Sequence, residues 1–174
     1  MKYALIGNPV SKSISPELHK LLYKELDIKD CFLEKIQLTE RELDSFFEDV
    51  ITSYNGLNVT IPFKNEVIGY LDKLDTESSI LKNVNCIAIK EGVLKGYNTD
   101  KYGFDMLCSR NEIVVKNKKC MVLGAGSSAK TIIKSLIDSE AREIIIKNKS
   151  EKNALEVIEF AKKLGFDNTA IFGK

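Results

Sequence analysis

Histidine is almost absent from this chain. His19 is the single example in 174 residues and has no second ligand type at metal-binding spacing beside it, which gives no reason to expect a histidine-built metal centre. The four cysteines, Cys31, Cys86, Cys108 and Cys120, lack CxxC spacing and sit among apolar neighbours such as Phe32, Ile87, Leu107 and Met121. That distribution reads as buried reduced thiols rather than disulfides or metal ligands. Net charge is also nearly absent: 26 Lys and Arg against 25 Asp and Glu leave +1, which removes the electrostatic case for nucleic-acid binding. No apolar run approaches the roughly 20 residues of a membrane span, and the run at 3–6 is far shorter than a signal-peptide core. A cytoplasmic location is the resulting expectation. Repeats and low-complexity tracts are missing as well.

What remains is ordinary globular material, 44% hydrophobic and 29% charged, able to bury one core or two small ones. Short β-branched or apolar runs alternate with amphipathic stretches, the α/β pattern. Strands are expected at 3–6, 31–37, 56–60, 86–90, 93–96, 119–123, 143–147 and 169–172. Ser15-Pro16 reads as an N-cap with proline at the first helical position, ahead of Leu18, Leu21, Leu22 and Leu26 at helical spacing. Thr39-Glu40-Arg41-Glu42 reads as a capping box opening a helix through Phe46 and Phe47 towards Val50. A connecting helix is expected at 100–109, and the polar run 110–119 as the domain boundary.

The stretch Leu123-Gly124-Ala125-Gly126-Ser127-Ser128-Ala129 follows a strand and precedes a helical pattern, the context of a G-x-G-x-x-A dinucleotide fingerprint. Its glycines permit a sharp turn and close approach of backbone N–H groups to a pyrophosphate, while Ala129 permits tight helix–strand packing. A tight turn with no ligand would look the same. At the end of the next strand, where an NAD-binding protein places an acidic residue, stand Asn148, Lys149 and Ser150, flanked by Lys147 and Lys152. Donors and cations there favour a 2′-phosphate, hence NADP; the plain alternative is a solvated lysine cluster.

The first half carries a second polar constellation suited to a small hydroxylated anion. Ser13 and Ser15 lie two apart beside Pro9 and Pro16, so both hydroxyls can face one cleft. Asn58-Val59-Thr60-Ile61-Pro62-Phe63-Lys64 alternates at strand period, with Asn58, Thr60 and Lys64 on one side and Val59 and Ile61 packed behind. Asn85 begins another strand, and Asn98-Thr99-Asp100 ends one at a helix N-terminus. Each also has a plain reading as a cap, a turn or a surface lysine.

In order and spacing these segments resemble the shikimate dehydrogenase family. Gly7-Asn8-Pro9-Val10 and Ser13-Ile14-Ser15-Pro16 with His19 look like its opening substrate loop, and Asn58-Val59-Thr60-Ile61-Pro62 with Lys64 like its central motif. Asn83-Val84-Asn85 matches its next substrate strand, Gly96-Tyr97-Asn98-Thr99-Asp100 its acidic motif, and the Gly124 loop with Asn148-Lys149-Ser150 its NADP elements. The resemblance implies an α/β protein in two parts: a three-layer shikimate-binding catalytic domain at 1–110, and an incomplete Rossmann-like, doubly wound NADP-binding domain at 111–174. It further implies reversible NADP-linked interconversion of shikimate and 3-dehydroshikimate on the route to chorismate and the aromatic amino acids.

Lys64 and Asp100 would be the catalytic pair by the same resemblance, because the hydroxyl that loses hydride must also lose its proton. Ser13, Ser15, Asn58, Thr60, Asn85 and Asp100 would bind shikimate, the serines facing its carboxylate. Gly124, Ala125, Gly126, Ser127, Ser128, Ala129, Asn148, Lys149 and Ser150 would bind NADP. His19 reads as a bracing residue, since the family chemistry does not require it. The chain departs from the family pattern at Lys20, where asparagine is usual, and at Lys149 and Asn153, where arginines are usual. Ser127 and Ser128 likewise stand where glycine and alanine are usual, and a lysine at 149 should grip a phosphate less firmly than an arginine fork. The family continues through three more strands, so the strand at 119–123 is expected to present an exposed edge for homodimerisation or for a partner chain. A shikimate-binding fragment without turnover, or a subunit completed by another chain, are the alternatives.

Overall fold

The computed structural model describes residues 1–173, so Lys174, the end of the expected second domain, lies outside them. Two compact units divide between Asn98 and Thr99.

In the first unit, β1 (Lys2–Gly7) lies inside a six-stranded sheet in the order β2-β1-β3-β5-β6-β4, where β2 is Phe32–Gln37, β3 Gly56–Val59, β4 Lys73–Leu74, β5 Cys86–Lys90 and β6 Val93–Tyr97. β1 runs parallel to β2 and β3, and β5 is antiparallel to both β3 and β6. Ala4, Leu5 and Ile6 are all buried, so this strand is apolar on both faces, as a strand covered on each side must be. Ala4 and Ile6 join Leu43, Phe47 and Val50 of α2 (Leu43–Ser53) in the main core, while Leu5 packs with Val10 and Leu33 in a smaller one. Helix α1 (Ser15–Glu25) packs beside β2. The result is the expected layered α/β arrangement.

Local chemistry sets the helix starts. Thr39 donates both its N–H and its hydroxyl to the Glu42 carboxylate at 2.7 Å, the expected capping interaction, and holds that carboxyl below its usual range. The start of α1 differs from expectation: Ser15 is the first helical residue and Ile14 the cap, because the Ser13 hydroxyl accepts the Ser15 N–H at 3.2 Å. A 3-10 turn (Glu66–Tyr70), β4 and α3 (Thr76–Leu81) have no counterpart in the sequence reading. Asp75 starts α3 by accepting the Ser78 N–H at 2.8 Å. Ile61 does not pack behind Val59 but is 62% exposed, since β3 ends at Val59 and the chain turns away.

The second unit opens with α4 (Asp100–Arg110), then alternates β7 (Lys119–Leu123), α5 (Ala129–Asp138), β8 (Glu143–Lys147), α6 (Glu151–Lys163) and β9 (Thr169–Ile171). Its three strands are parallel in the order β7-β8-β9, the first half of a doubly wound nucleotide fold. Ile133, Ile144, Ile146, Ala154 and Ala161 are wholly buried in its core. The sequence placed α4 with the first domain. Phe104 instead packs on the second core, and Lys101 bridges Asp105 and Asp138 at 2.9 and 3.0 Å. The Ser135 hydroxyl also donates to Asp105. A polar stretch such as 110–119 marks a surface turn and leaves open where packing breaks.

All four cysteines are free but half-buried rather than enclosed. Among the described residues no helix is long and apolar enough to cross a membrane.

Candidate functional site

The first unit gathers its candidate residues at one end of the sheet, where the parallel strands β1 and β3 finish and the antiparallel β5 begins. That is the end at which open α/β sheets hold ligands. The loop after β1 must pass close to the loop after β3: Asn8 N–H donates to the Ile61 carbonyl at 2.8 Å, and a Cβ on Gly7 would collide with the Thr60 side chain and approach Ile61 O to 2.9 Å. Ser13 and Ser15 meet as expected, the Ser13 hydroxyl donating to Ser15 Oγ at 3.0 Å. Asn58 pairs in register with Leu5 and Cys86 on the flanking strands, so its half-buried side chain stands at the middle of the group.

Backbone bonds stitch the remaining segments to this end. Val84 N–H donates to the Lys64 carbonyl at 2.7 Å, Val59 N–H to the Asn85 carbonyl at 2.9 Å, and Asn85 N–H to the Tyr97 carbonyl at 3.0 Å. Two buried amides lie beneath them. Asn98 donates from Nδ2 to the Asn83 backbone carbonyl at 3.1 Å and to its Oδ1 at 3.0 Å, and Asn83 donates to Asn65 Oδ1 at 3.4 Å. From sequence Asn83 stands inside a motif without a role of its own, and Asn98 within a turn and cap, not as a buried bridge. Asn83 stands next to the wholly buried Val84, and Asn98 directly follows the half-buried Tyr97 that ends β6. His19 braces the site as expected: its Nε2 lies 3.2 Å from Asn58 Nδ2 and its Nδ1 3.1 Å from the Tyr23 hydroxyl. Burial pushes the His19 pKa down, so the ring is neutral near pH 7.

Asp100 opens α4 in the second unit, with Thr99 at the cap position. The same unit carries the glycine loop. Gly124 has φ of +106°, a conformation that disfavours any side chain, and open space surrounds the Cβ positions of both Gly124 and Gly126. A loop that leaves such room beside the N-terminus of α5 fits an approaching phosphate. Leu123, Gly124, Lys147, Asn148 and Lys149 line a cleft of about 620 Å³ there.

The three residues after β8 divide their work. Asn148 Oδ1 accepts the Ala125 N–H at 3.2 Å and its Nδ2 donates to the Ser150 carbonyl at 2.9 Å, so this side chain ties the glycine loop to the strand end. Ser150 caps α6 by accepting the Asn153 N–H at 3.4 Å. Lys149 is exposed and has no partner among the described residues, while Lys147 sits 4.6 Å from the centre of the Phe172 ring. Of the trio, the lysine is left to meet an anion. A dinucleotide therefore fits this loop, with Lys149 as its most available cation.

Two family models match the chain: the shikimate dehydrogenase substrate binding domain over residues 5–87, and shikimate / quinate 5-dehydrogenase over residues 107–170. The chain belongs to the shikimate dehydrogenase family. It is 37% identical over 170 residues to the shikimate dehydrogenase (NADP(+)) of Nitrosopumilus maritimus, an alignment covering 97% of this chain and 62% of that relative. Among solved structures, shikimate dehydrogenase from Aquifex aeolicus superposes with a TM-score of 0.89 at 27% identity, over 100% of this chain and 63% of that one. Shikimate 5-dehydrogenase from Thermus thermophilus, solved with NADP(H) and shikimate, gives 0.86 at 26% identity, over 98% and 62%. This chain thus spans a little over three fifths of the length of these relatives.

Proposed function

We propose that this chain binds shikimate through its first unit and NADP through its second, for the reversible oxidation of shikimate to 3-dehydroshikimate. The observation that carries the reading is the gathering of Ser13, Ser15, Asn58, Thr60, Lys64 and Asn85 at the ligand-binding end of one sheet, in a family whose crystallised member from Thermus thermophilus holds NADP(H) and shikimate. The paired serine hydroxyls suit a carboxylate, and the asparagines and Thr60 suit ring hydroxyls. Lys64 and Asp100 form the proposed catalytic pair, taking up and returning the hydroxyl proton as the C–H bond breaks. NADP, when bound, supplies the acceptor for hydride. Gly124, Ala125, Gly126, Ser127, Ser128 and Ala129 cradle its pyrophosphate, Asn148 and Ser150 hold that loop and the next helix in place, and Lys149 faces the 2′-phosphate.

We place the protein in the cytoplasm and infer self-association through the edge of β7, whose Leu123 is 76% exposed and Met121 47%. Thermal-shift titration of the 174-residue chain with shikimate, alongside NADP reduction followed at 340 nm, tests the function. Stabilisation with turnover is the expected result. Stabilisation alone would reduce the chain to a binding module, and neither signal would remove the reading. Sedimentation of the same sample tests the association.

A further inference from the structure

The contact between His19 and Asn58 has a direction, and that direction decides what the site offers a ligand. Asn58 presents its amide nitrogen to His19 Nε2 at 3.2 Å, and an amide NH₂ only donates. A neutral imidazole has one donor and one acceptor nitrogen, so Nε2 accepts and the proton sits on Nδ1, from which it reaches the Tyr23 hydroxyl 3.1 Å away. The ring is held edge-on to Tyr23 at 5.5 Å between centroids, with Tyr3 of β1 behind at 6.5 Å from Tyr23. Tyr23 on its own helix is the titratable group in contact with it, Tyr3 on β1 and Cys31 ahead of β2 act in turn on Tyr23, and burial is the cause of the lowered His19 pKa. With the amide nitrogen engaged, Asn58 Oδ1 is left without a partner among the described residues.

We propose that His19 is a positioning residue that fixes the polarity of Asn58, committing its carbonyl oxygen to accept a hydrogen bond from a ligand hydroxyl. The ligand half of this statement rests on the shikimate reading above. The device is specific: a histidine with the proton on Nε2 would turn the amide over and present a donor instead, and a protonated ring would do the same. A bracing role through packing alone would be met equally by phenylalanine.

The test uses the unsubstituted 174-residue chain, whose single histidine gives unambiguous resonances. Long-range ¹H–¹⁵N spectra should show the Nδ1–H tautomer, and finding Nε2–H would overturn the proposal. His19→Phe should displace the Asn58 side-chain amide resonances and weaken shikimate binding about tenfold, the scale of one lost hydrogen bond, while His19→Gln, whose amide oxygen can accept from Asn58, restores most of it. Equal shikimate affinity in wild type and His19→Phe would also overturn it. If the wild-type chain binds no shikimate, the function reading fails and takes the ligand half with it. The tautomer result then still decides whether His19 orients Asn58.

Discussion

Replacing Asn98 by alanine tests whether the buried amides hold this site together. Asn98 is 5% exposed and donates two hydrogen bonds to Asn83, itself 3% exposed. Each bond contributes about 0.5–1.5 kcal/mol net, and removing a buried donor exposes its acceptors to a penalty of about 1–3 kcal/mol. Two such bonds set the expected loss near 3 kcal/mol. With a urea dependence of about 1.5 kcal/mol/M for a unit of this size, the unfolding midpoint should fall by about 2 M. Tyrosine fluorescence is the natural probe, because Tyr3, Tyr23, Tyr54, Tyr70 and Tyr97 all lie in the first unit and Tyr102 alone in the second. Asn98→Asp should be worse than alanine, since a carboxylate would face two oxygens without a proton to share. A midpoint shift under about 0.3 M for Asn98→Ala would refute the reasoning, because surface changes fall within that range.

Gly124→Ala is expected to destabilise the second unit by about 1–2 kcal/mol through its φ of +106° rather than through any clash, measured by urea titration followed by circular dichroism. Lys149→Glu should weaken NADP binding about tenfold or more and leave NAD nearly unchanged by calorimetry, because the contact proposed for that side chain is with the 2′-phosphate, which NAD lacks. Lys64→Ala should keep shikimate affinity within about threefold while removing any NADP reduction the parent chain shows, as expected of a group that acts mainly in the transition state. The lowered pKa of His19 also makes stability pH-dependent. The unfolded chain takes up the proton near the ordinary value of 6.5 and the folded chain only at lower pH, so the contribution is complete above 6.5 and is lost as pH falls through the lowered value. Urea midpoints between about pH 5 and 7.5 should show that slope in wild type and a flatter one in His19→Gln.

Much of the architecture was legible because it rests on local signals. β5, β7 and β8 fall where their β-branched runs place them, and the Thr39–Glu42 cap forms as its spacing demands. Elements set by tertiary packing were not legible. β4 is two residues long and exists because it pairs with β6, and no periodicity can announce a pairing. The same limit moved the division between units: α4 has no fully buried residue of its own, so nothing in its composition says which core Phe104 joins. The Ser15 cap slipped by one position because a neighbouring hydroxyl, that of Ser13, took the role first.

The site shows the same split at finer scale. Residue types told which groups could touch a carboxylate, a hydroxyl or a phosphate, and the structure brings Ser13 onto Ser15 and sets Asn58, Lys64 and Asn85 along one end of a sheet. What residue type cannot tell is how a bifunctional side chain divides its two ends. Asn148 looked like a phosphate donor, and each of its amide atoms is engaged within the protein, Oδ1 by Ala125 and Nδ2 by Ser150, while Lys149 beside it stays exposed. Asn58 looked like a shikimate contact of either polarity, and His19 engages its donor end so that the acceptor end remains. An asparagine is a donor and an acceptor on paper; in a folded site its neighbours choose which one the ligand meets. On the proposed function, specificity would therefore reside as much in His19, which never reaches the ligand, as in the Asn58 oxygen it leaves open.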